Sequence, residues 1–217
     1  MRQQGEADVV KWNVSNQAGF RVIFGTLGIL TAVVRLYYAR KGSQSAQGVS
    51  RTREERFRLA FVSRLMAPGW IAGVVYVIAP QRVRWAALPI PAWSRWVGAA
   101  LGAVALSLFL WTHHALGKNW SRDLVIKEGH TLVTSGPYRW ARHPMYTAAF
   151  GWSVASFLVS ANWLIGLGLL GPVMLDAMRV GEEEALMKQE FGDEYRTYMQ
   201  RTGRFLPPMK PLVRAAR

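Results

Sequence analysis

The stretch from Pro144 to Met178 reads PMYTAAFGWSVASFLVSANWLIGLGLLGPVMLDAM and contains two apolar blocks, 144–159 and 163–178. Only Ser160, Ala161 and Asn162 separate them. A three-residue link between two helix-length blocks makes a tight antiparallel helical hairpin. Outward from this pair lie three more apolar blocks, Phe20–Tyr38, Leu65–Pro80 and Trp96–Trp111. A spanning helix needs roughly 17–25 residues, and the last four blocks are at or just below that limit. The expected fold is therefore all-α: a polytopic integral membrane helical bundle of about five transmembrane helices, some of them tilted or buried.

Composition supports this reading. Of 217 residues, 51% are apolar and 18% charged, too apolar for a disordered chain. The formal charge of +14 would suggest a nucleic-acid binder in a soluble protein. Here the basic residues alternate with apolar blocks, so no nucleic-acid partner is expected. Ten tryptophans fit a chain with two bilayer interfaces. With no cysteine, disulfides, zinc-thiolate sites and a cysteine nucleophile are excluded. The first 19 residues are polar and mixed in charge, unlike a cleavable signal.

Lys and Arg also orient the bundle. Segments 39–64, 113–142 and 179–217 carry 20 of them, against six in 1–21 and 81–95. The positive-inside rule then places the N-terminus outside and the C-terminus in the cytoplasm, in a membrane expected to be a bacterial inner membrane. Residues 82–95, RVRWAALPIPAWSR, read as an interfacial loop. The basic stretch 51–64 reads as a solvated loop or as a helix lying on the anionic inner leaflet.

Chemistry is expected on the inner face. Residues 124–126 and 132–134 flank Glu128-Gly129 and suggest a small hairpin. It leads into Gly136-Pro137-Tyr138-Arg139-Trp140-Ala141-Arg142-His143-Pro144-Met145-Tyr146. Pro144 suits the first helical position. Arg142 and His143 then stand at a helix N-terminus, where free N–H groups and the helix dipole favour an anion. Seven of the 13 acidic residues lie between Asp176 and Glu194. On a continuing helix Arg179 is spaced to pair with Glu182 or Glu183. The helical hairpin brings the two clusters together. Carboxylates facing arginines and tyrosines suit S-adenosylmethionine, with its ammonium, carboxylate, ribose diol and sulfonium. A dinucleotide phosphate suits the basic wall as well. His113 and His114 read as a boundary pair, and no metal site is expected. Gly166-Leu167-Gly168 reads as small residues for helix packing.

At these residues the sequence resembles the isoprenylcysteine carboxyl methyltransferase family. The matching strings are Leu116-Gly117-Lys118-Asn119-Trp120-Ser121, Lys127-Glu128-Gly129-His130, LVTSGPYRWARHPMY (132–146), Arg179 with Glu183-Glu184, Phe191-Gly192-Asp193-Glu194-Tyr195 with Tyr198, and Arg204-Phe205-Leu206-Pro207. The likeness covers about residues 100–208, and its joint pattern is specific where each element alone is weak. It implies S-adenosylmethionine as cofactor, a cytoplasmic pocket closed by the C-terminal tail, and a lipophilic acceptor arriving from the bilayer. Tyr138, His143, Tyr146, Glu183 and Glu184 look like cofactor-binding residues by this resemblance, and Arg142 and Arg179 like groups anchoring a carboxylate in catalysis. Residues 1–95 match no motif and read as N-terminal helices with a lipid- or substrate-facing role, leaving 96–217 as the catalytic core.

Two enzymatic alternatives share this kind of site: a phospholipid N-methyltransferase and an NADPH-dependent sterol-type reductase. The stretch EEEALMKQEFGDEY (182–195) replaces the tail that such reductases usually carry, which favours methyl transfer. A membrane scaffold without a ligand leaves the expected meeting of His143 with Glu183 unexplained.

Overall fold

The computed structural model describes residues 2–44, 53–117 and 131–208. Helices α1 (Arg2–Gln44), α2 (Arg53–Ile78), α3 (Ala92–Leu116), α4 (Pro144–Ser160), α5 (Trp163–Ala177) and α6 (Val180–Arg201) follow in order, with 3₁₀ turns at Pro80–Ala86 and Gly136–Arg139. Among the described residues, four stretches are long and apolar enough to cross a membrane: 17–41, 56–78, 92–116 and the combined α5–α6 stretch 163–201. Helix α4 has 17 residues, the lower end of what a span needs. The chain is thus a polytopic membrane helical bundle, and large apolar side chains such as Val22, Ile29, Ile71 and Val104 face outward, as a lipid-exposed surface requires.

The α4–α5 hairpin forms where expected. Ala161 takes the left-handed conformation, φ 51° and ψ 41°, which costs a residue with a Cβ roughly 1–2 kcal/mol. The turn is held by several bonds. Ala161 N–H donates to the Phe157 carbonyl at 2.8 Å, and Leu88 N–H donates to the Ala161 carbonyl at 2.7 Å. The Asn162 side-chain oxygen caps α5 through the N–H groups of Leu164 and Ile165, and its amide donates to the Val83 carbonyl.

Helix α2 crosses α5 where glycine meets glycine. A Cβ on Gly69 would stand 2.6 Å from the Gly168 backbone, and one on Gly168 would stand 2.6 Å from the Cα of Gly69. The helices touch main chain to main chain, the close approach that small residues permit in lipid. Gly166 packs in the same way on the Phe157 ring. Beyond the crossing Ala72, Tyr76, Val83, Ile165 and Leu169 form a buried cluster.

Two expectations about basic segments are corrected. Arg95 is not in an interfacial loop but 6% exposed inside α3. Its guanidinium donates to the Val159 carbonyl at 2.9 and 3.0 Å and to the Tyr76 hydroxyl at 2.8 Å, and lies 4.1 Å from the centre of the Phe20 ring. A carbonyl at the end of α4 needs a donor, and an arginine from α3 supplies it. Residues 53–64, neither loop nor surface helix, are the first turns of α2. The suggested hairpin lies largely outside the described residues, with 131–134 irregular.

Candidate active site

Helix α4 begins at Pro144, as its fixed φ and missing N–H favour. His143 occupies the cap position, but its side chain makes no capping bond. The N–H groups just before the helix are taken by the tail. Arg142 N–H donates to the Gly203 carbonyl and His143 N–H to the Arg204 carbonyl, both at 2.9 Å, while Gly203 N–H donates to the Trp140 carbonyl. The expected anion-accepting helix end is therefore stitched to residues 203–204. The anions that come close are the chain's own carboxylates.

Glu184 is 2% exposed and carries two guanidinium groups. Arg142 Nε donates to its Oε1 at 2.9 Å, and Arg204 Nη2 to its Oε2 at 2.6 Å. Arg142 Nη1 donates to the carbonyls of Thr202 at 2.5 Å and Met199 at 3.2 Å. The bond to Glu184 holds the Arg204 guanidinium above its usual pKa. Glu183 is half-buried and lies on the other side of His143. Tyr146 donates its hydroxyl to Glu183 Oε1 at 2.7 Å. The His143 ring stands between the two glutamates, Nδ1 3.5 Å from Glu183 Oε2 and Nε2 3.4 Å from Glu184 Oε1. At 3.4 Å the second contact lacks hydrogen-bond alignment, and His143 Nε2 is a buried nitrogen without a hydrogen-bond partner among the described residues.

Phe205 closes this cluster. Its ring lies 6.2 Å from that of His143 and 6.4 Å from that of Tyr146, and its carbonyl accepts the Thr147 hydroxyl at 2.6 Å. Tyr138 is buried one layer away, where its carbonyl accepts the Tyr198 hydroxyl at 2.7 Å. Burial, with Tyr198 and Glu183 nearby, pushes the Tyr138 hydroxyl above the usual tyrosine range. It stays protonated at neutral pH.

The tail reaches this position because α6 breaks at Gly192, φ 52° and ψ −123°. That conformation strains residues with a Cβ and favours glycine. After the break Tyr195 and Tyr198 turn inward and are buried.

Arg142, His143, Tyr146, Glu183 and Glu184 thus converge. Arg179 stands at the α5–α6 junction. Its expected pairing with Glu182 or Glu183 is absent among the described residues, and its Nε is buried without a hydrogen-bond partner. Arg204, Thr202 and Phe205 are members of the cluster that spacing alone did not single out. The quoted Arg204-Phe205-Leu206-Pro207 string was the available signal.

Residues 98–189 match the sequence model of the isoprenylcysteine carboxyl methyltransferase (ICMT) family. The match covers less than half of the chain. The human protein-S-isoprenylcysteine O-methyltransferase is 39% identical over 82 residues, 37% of this chain and 29% of that protein. The Schizosaccharomyces pombe enzyme of the same name is 30% identical over 115 residues, 50% of this chain and 48% of that protein. The chain thus spans less than half the length of these ICMT relatives. The solved structure of a eukaryotic intramembrane Ras methyltransferase ICMT aligns with a TM-score of 0.53 and 22% identity, over 85% of this chain and 66% of that one. That likeness carries the ICMT membrane fold.

Proposed function

We propose that the chain is an S-adenosylmethionine-dependent methyltransferase that esterifies the carboxylate of a lipophilic, isoprenylcysteine-like acceptor within the membrane. The observation that carries this is the meeting of His143, Tyr146 and Glu183 beside the buried Arg142–Glu184–Arg204 cluster. It occurs in a segment whose relatives bear the name O-methyltransferase.

The donor set fits the cofactor. Glu184 is neutralised by two arginines, whereas among the described residues Glu183 accepts the Tyr146 hydroxyl alone, with His143 Nδ1 3.5 Å away. Glu183 is then the carboxylate for the ammonium or ribose hydroxyls. On this side of the ring stands His143 Nδ1, while the unpartnered Nε2 faces Glu184. When bound, S-adenosylmethionine supplies an electrophilic methyl group on a cationic sulfonium. Arg142, fully engaged by Glu184 and two carbonyls, braces the wall. Arg179 is the arginine left to face the acceptor. An α-carboxylate with a pKa of about 3.3–3.7 is ionised at neutral pH and needs no general base. The new bond joins its oxygen to the methyl carbon, and the electrons of the broken carbon–sulfur bond stay on sulfur. The protein contributes alignment and exclusion of water.

In this reading the site faces the cytoplasm, the N-terminus lies outside, and residues 1–95 form the lipid- and acceptor-facing part against a catalytic core at 96–217. Calorimetric titration with S-adenosylhomocysteine, with NADPH in parallel, tests it. Binding of S-adenosylhomocysteine that is lost in Glu183→Gln supports the proposal. Binding of NADPH alone, or of neither, sinks it.

A further inference from the structure

Helix α4 buries Ser153, Ser156 and Ser160. Two of these return the hydroxyl to their own helix. Ser153 Oγ donates to the Ala149 carbonyl at 2.9 Å, and Ser160 Oγ to the Ser156 carbonyl at 2.6 Å. Such a bond to the carbonyl four residues back satisfies a hydroxyl where lipid offers no partner. Ser156 departs from this pattern. It is 3% exposed, and its Oγ has no hydrogen-bond partner among the described residues. One turn earlier, the buried Trp152 Nε1 has none either. Counted from Pro144, the two residues lie about 12 and 18 Å along α4, at a depth that bulk water does not reach. A buried polar atom without a partner is costly, and residues at i and i+4 share a helix face.

Trp152 and Ser156 line the same small pocket, at the seam of α4 with α1. Ala155 and Val159 complete its α4 side, and Phe24 and Leu27 form its α1 side. Gly102 of α3 packs tightly behind it: a Cβ there would stand 2.9 Å from Leu27 Cδ1 and 3.5 Å from the Ala155 Cβ. The room within is about that of one water molecule. The donor set defines what fits. An indole N–H only donates, whereas a hydroxyl donates or accepts. A hydrocarbon chain satisfies neither group, and a cation meets the indole hydrogen. No lining residue is charged, so an anion here has nothing to compensate it. A neutral oxygen can accept from Trp152 and bond to Ser156 at once.

We infer that Trp152 and Ser156 form a binding niche for one neutral oxygen atom between α1 and α4, supplied by a water molecule or by the ester carbonyl of a lipid. The niche is independent of the methyltransferase reading, since none of its residues belongs to the cluster around His143. It places a hydrogen-bonded bridge inside the bundle, against a helix that contributes only apolar side chains there.

The test uses the full chain, nitrogen-15-labelled at its indole nitrogens, in dodecyl maltoside, a detergent without carbonyl groups. The Trp152 indole signal is identified by its loss in Trp152→Phe. It is expected at the downfield position of a hydrogen-bonded indole and to move in Ser156→Ala, while Ser153→Ala leaves it in place. Magnetisation transfer from water to this proton, with no lipid added, assigns the oxygen to water. A signal that reaches its downfield position only on addition of phosphatidylcholine, in contact with the labelled ester carbonyl, assigns it to lipid. The unfolding midpoint gives a second readout. Ser156→Ala is expected to lower it by a few degrees, because a partnered hydroxyl is lost; loss of an orphaned hydroxyl raises it instead. A raised midpoint in Ser156→Ala, or a Trp152 proton at the position of an unbonded indole both with and without lipid, overturns the inference.

Discussion

Arg142 and Glu184, 42 residues apart in sequence, meet at 2.9 Å with side chains only 9% and 3% exposed. The pair joins the entrance of α4 to the second turn of α6, and Arg204 from the tail makes it a triad. Removing one partner of a buried ion pair leaves a charge without compensation and typically costs about 3–5 kcal/mol. Glu184→Gln is therefore expected to lower the thermal unfolding midpoint of the detergent-purified protein sharply. Arg142→Lys is expected to do likewise, because a single ammonium cannot reach Glu184 and two carbonyls together. Unchanged midpoints in both would show that the triad does not hold the tail.

Tyr146→Phe removes one hydrogen bond to a carboxylate and leaves the ring in place. Such bonds contribute about 1.5–3 kcal/mol. Affinity for S-adenosylhomocysteine is expected to fall roughly 10- to 100-fold by calorimetry, with the unfolding midpoint nearly unchanged. A large midpoint shift with intact affinity would make Tyr146 structural.

Gly192→Ala meets no atom within 4 Å, so any effect is conformational. A Cβ at φ 52° and ψ −123° is expected to cost about 1–3 kcal/mol. Because the break aims Tyr195 and Tyr198 inward, ligand affinity should fall with stability. Gly181→Ala, also without near neighbours but in ordinary helix, is the comparison and should leave both unchanged.

Gly168→Ala pushes the α2–α5 crossing apart, since its Cβ would lie 2.6 Å from the Gly69 Cα. Overpacking of this kind costs about 1–3 kcal/mol. Gly171→Ala, with nothing within 4 Å, should be neutral. Equal midpoints for the two variants would contradict the close crossing.

For a carboxylate acceptor, kcat/KM should stay flat above about pH 5 and fall only as the acid approaches its pKa of about 3.3–3.7. A rise through pH 6–8 would point to an amine or thiol acceptor and a general base.

Much of this was legible locally. Pro144 marked the start of α4, Ser160-Ala161-Asn162 marked its turn, and Gly168 marked a close helix contact. These signals depend on neighbours in sequence. The role of Arg142 was not legible, because its partners are the carbonyls of Met199 and Thr202, placed by the bend at Gly192. Nothing near Arg142 in sequence announces that its donors are already used. Arg95 was missed for a similar reason: its acceptor is a carbonyl 64 residues away. In both cases the side chain's partner lies far away in sequence, and for Arg95 the helix also begins earlier than the apolar block suggested.

The hydrogen bonds from Arg142 and His143 to the carbonyls of Gly203 and Arg204 also set an order of events during biosynthesis. A ribosome that has delivered α1 to α5 into the bilayer has made a membrane protein with no finished pocket. The site comes into being only when residues 202–205 emerge and fold back against α4. On the proposed function, insertion and acquisition of activity are then separate steps, and a nascent chain stalled between them is expected to be anchored but inert.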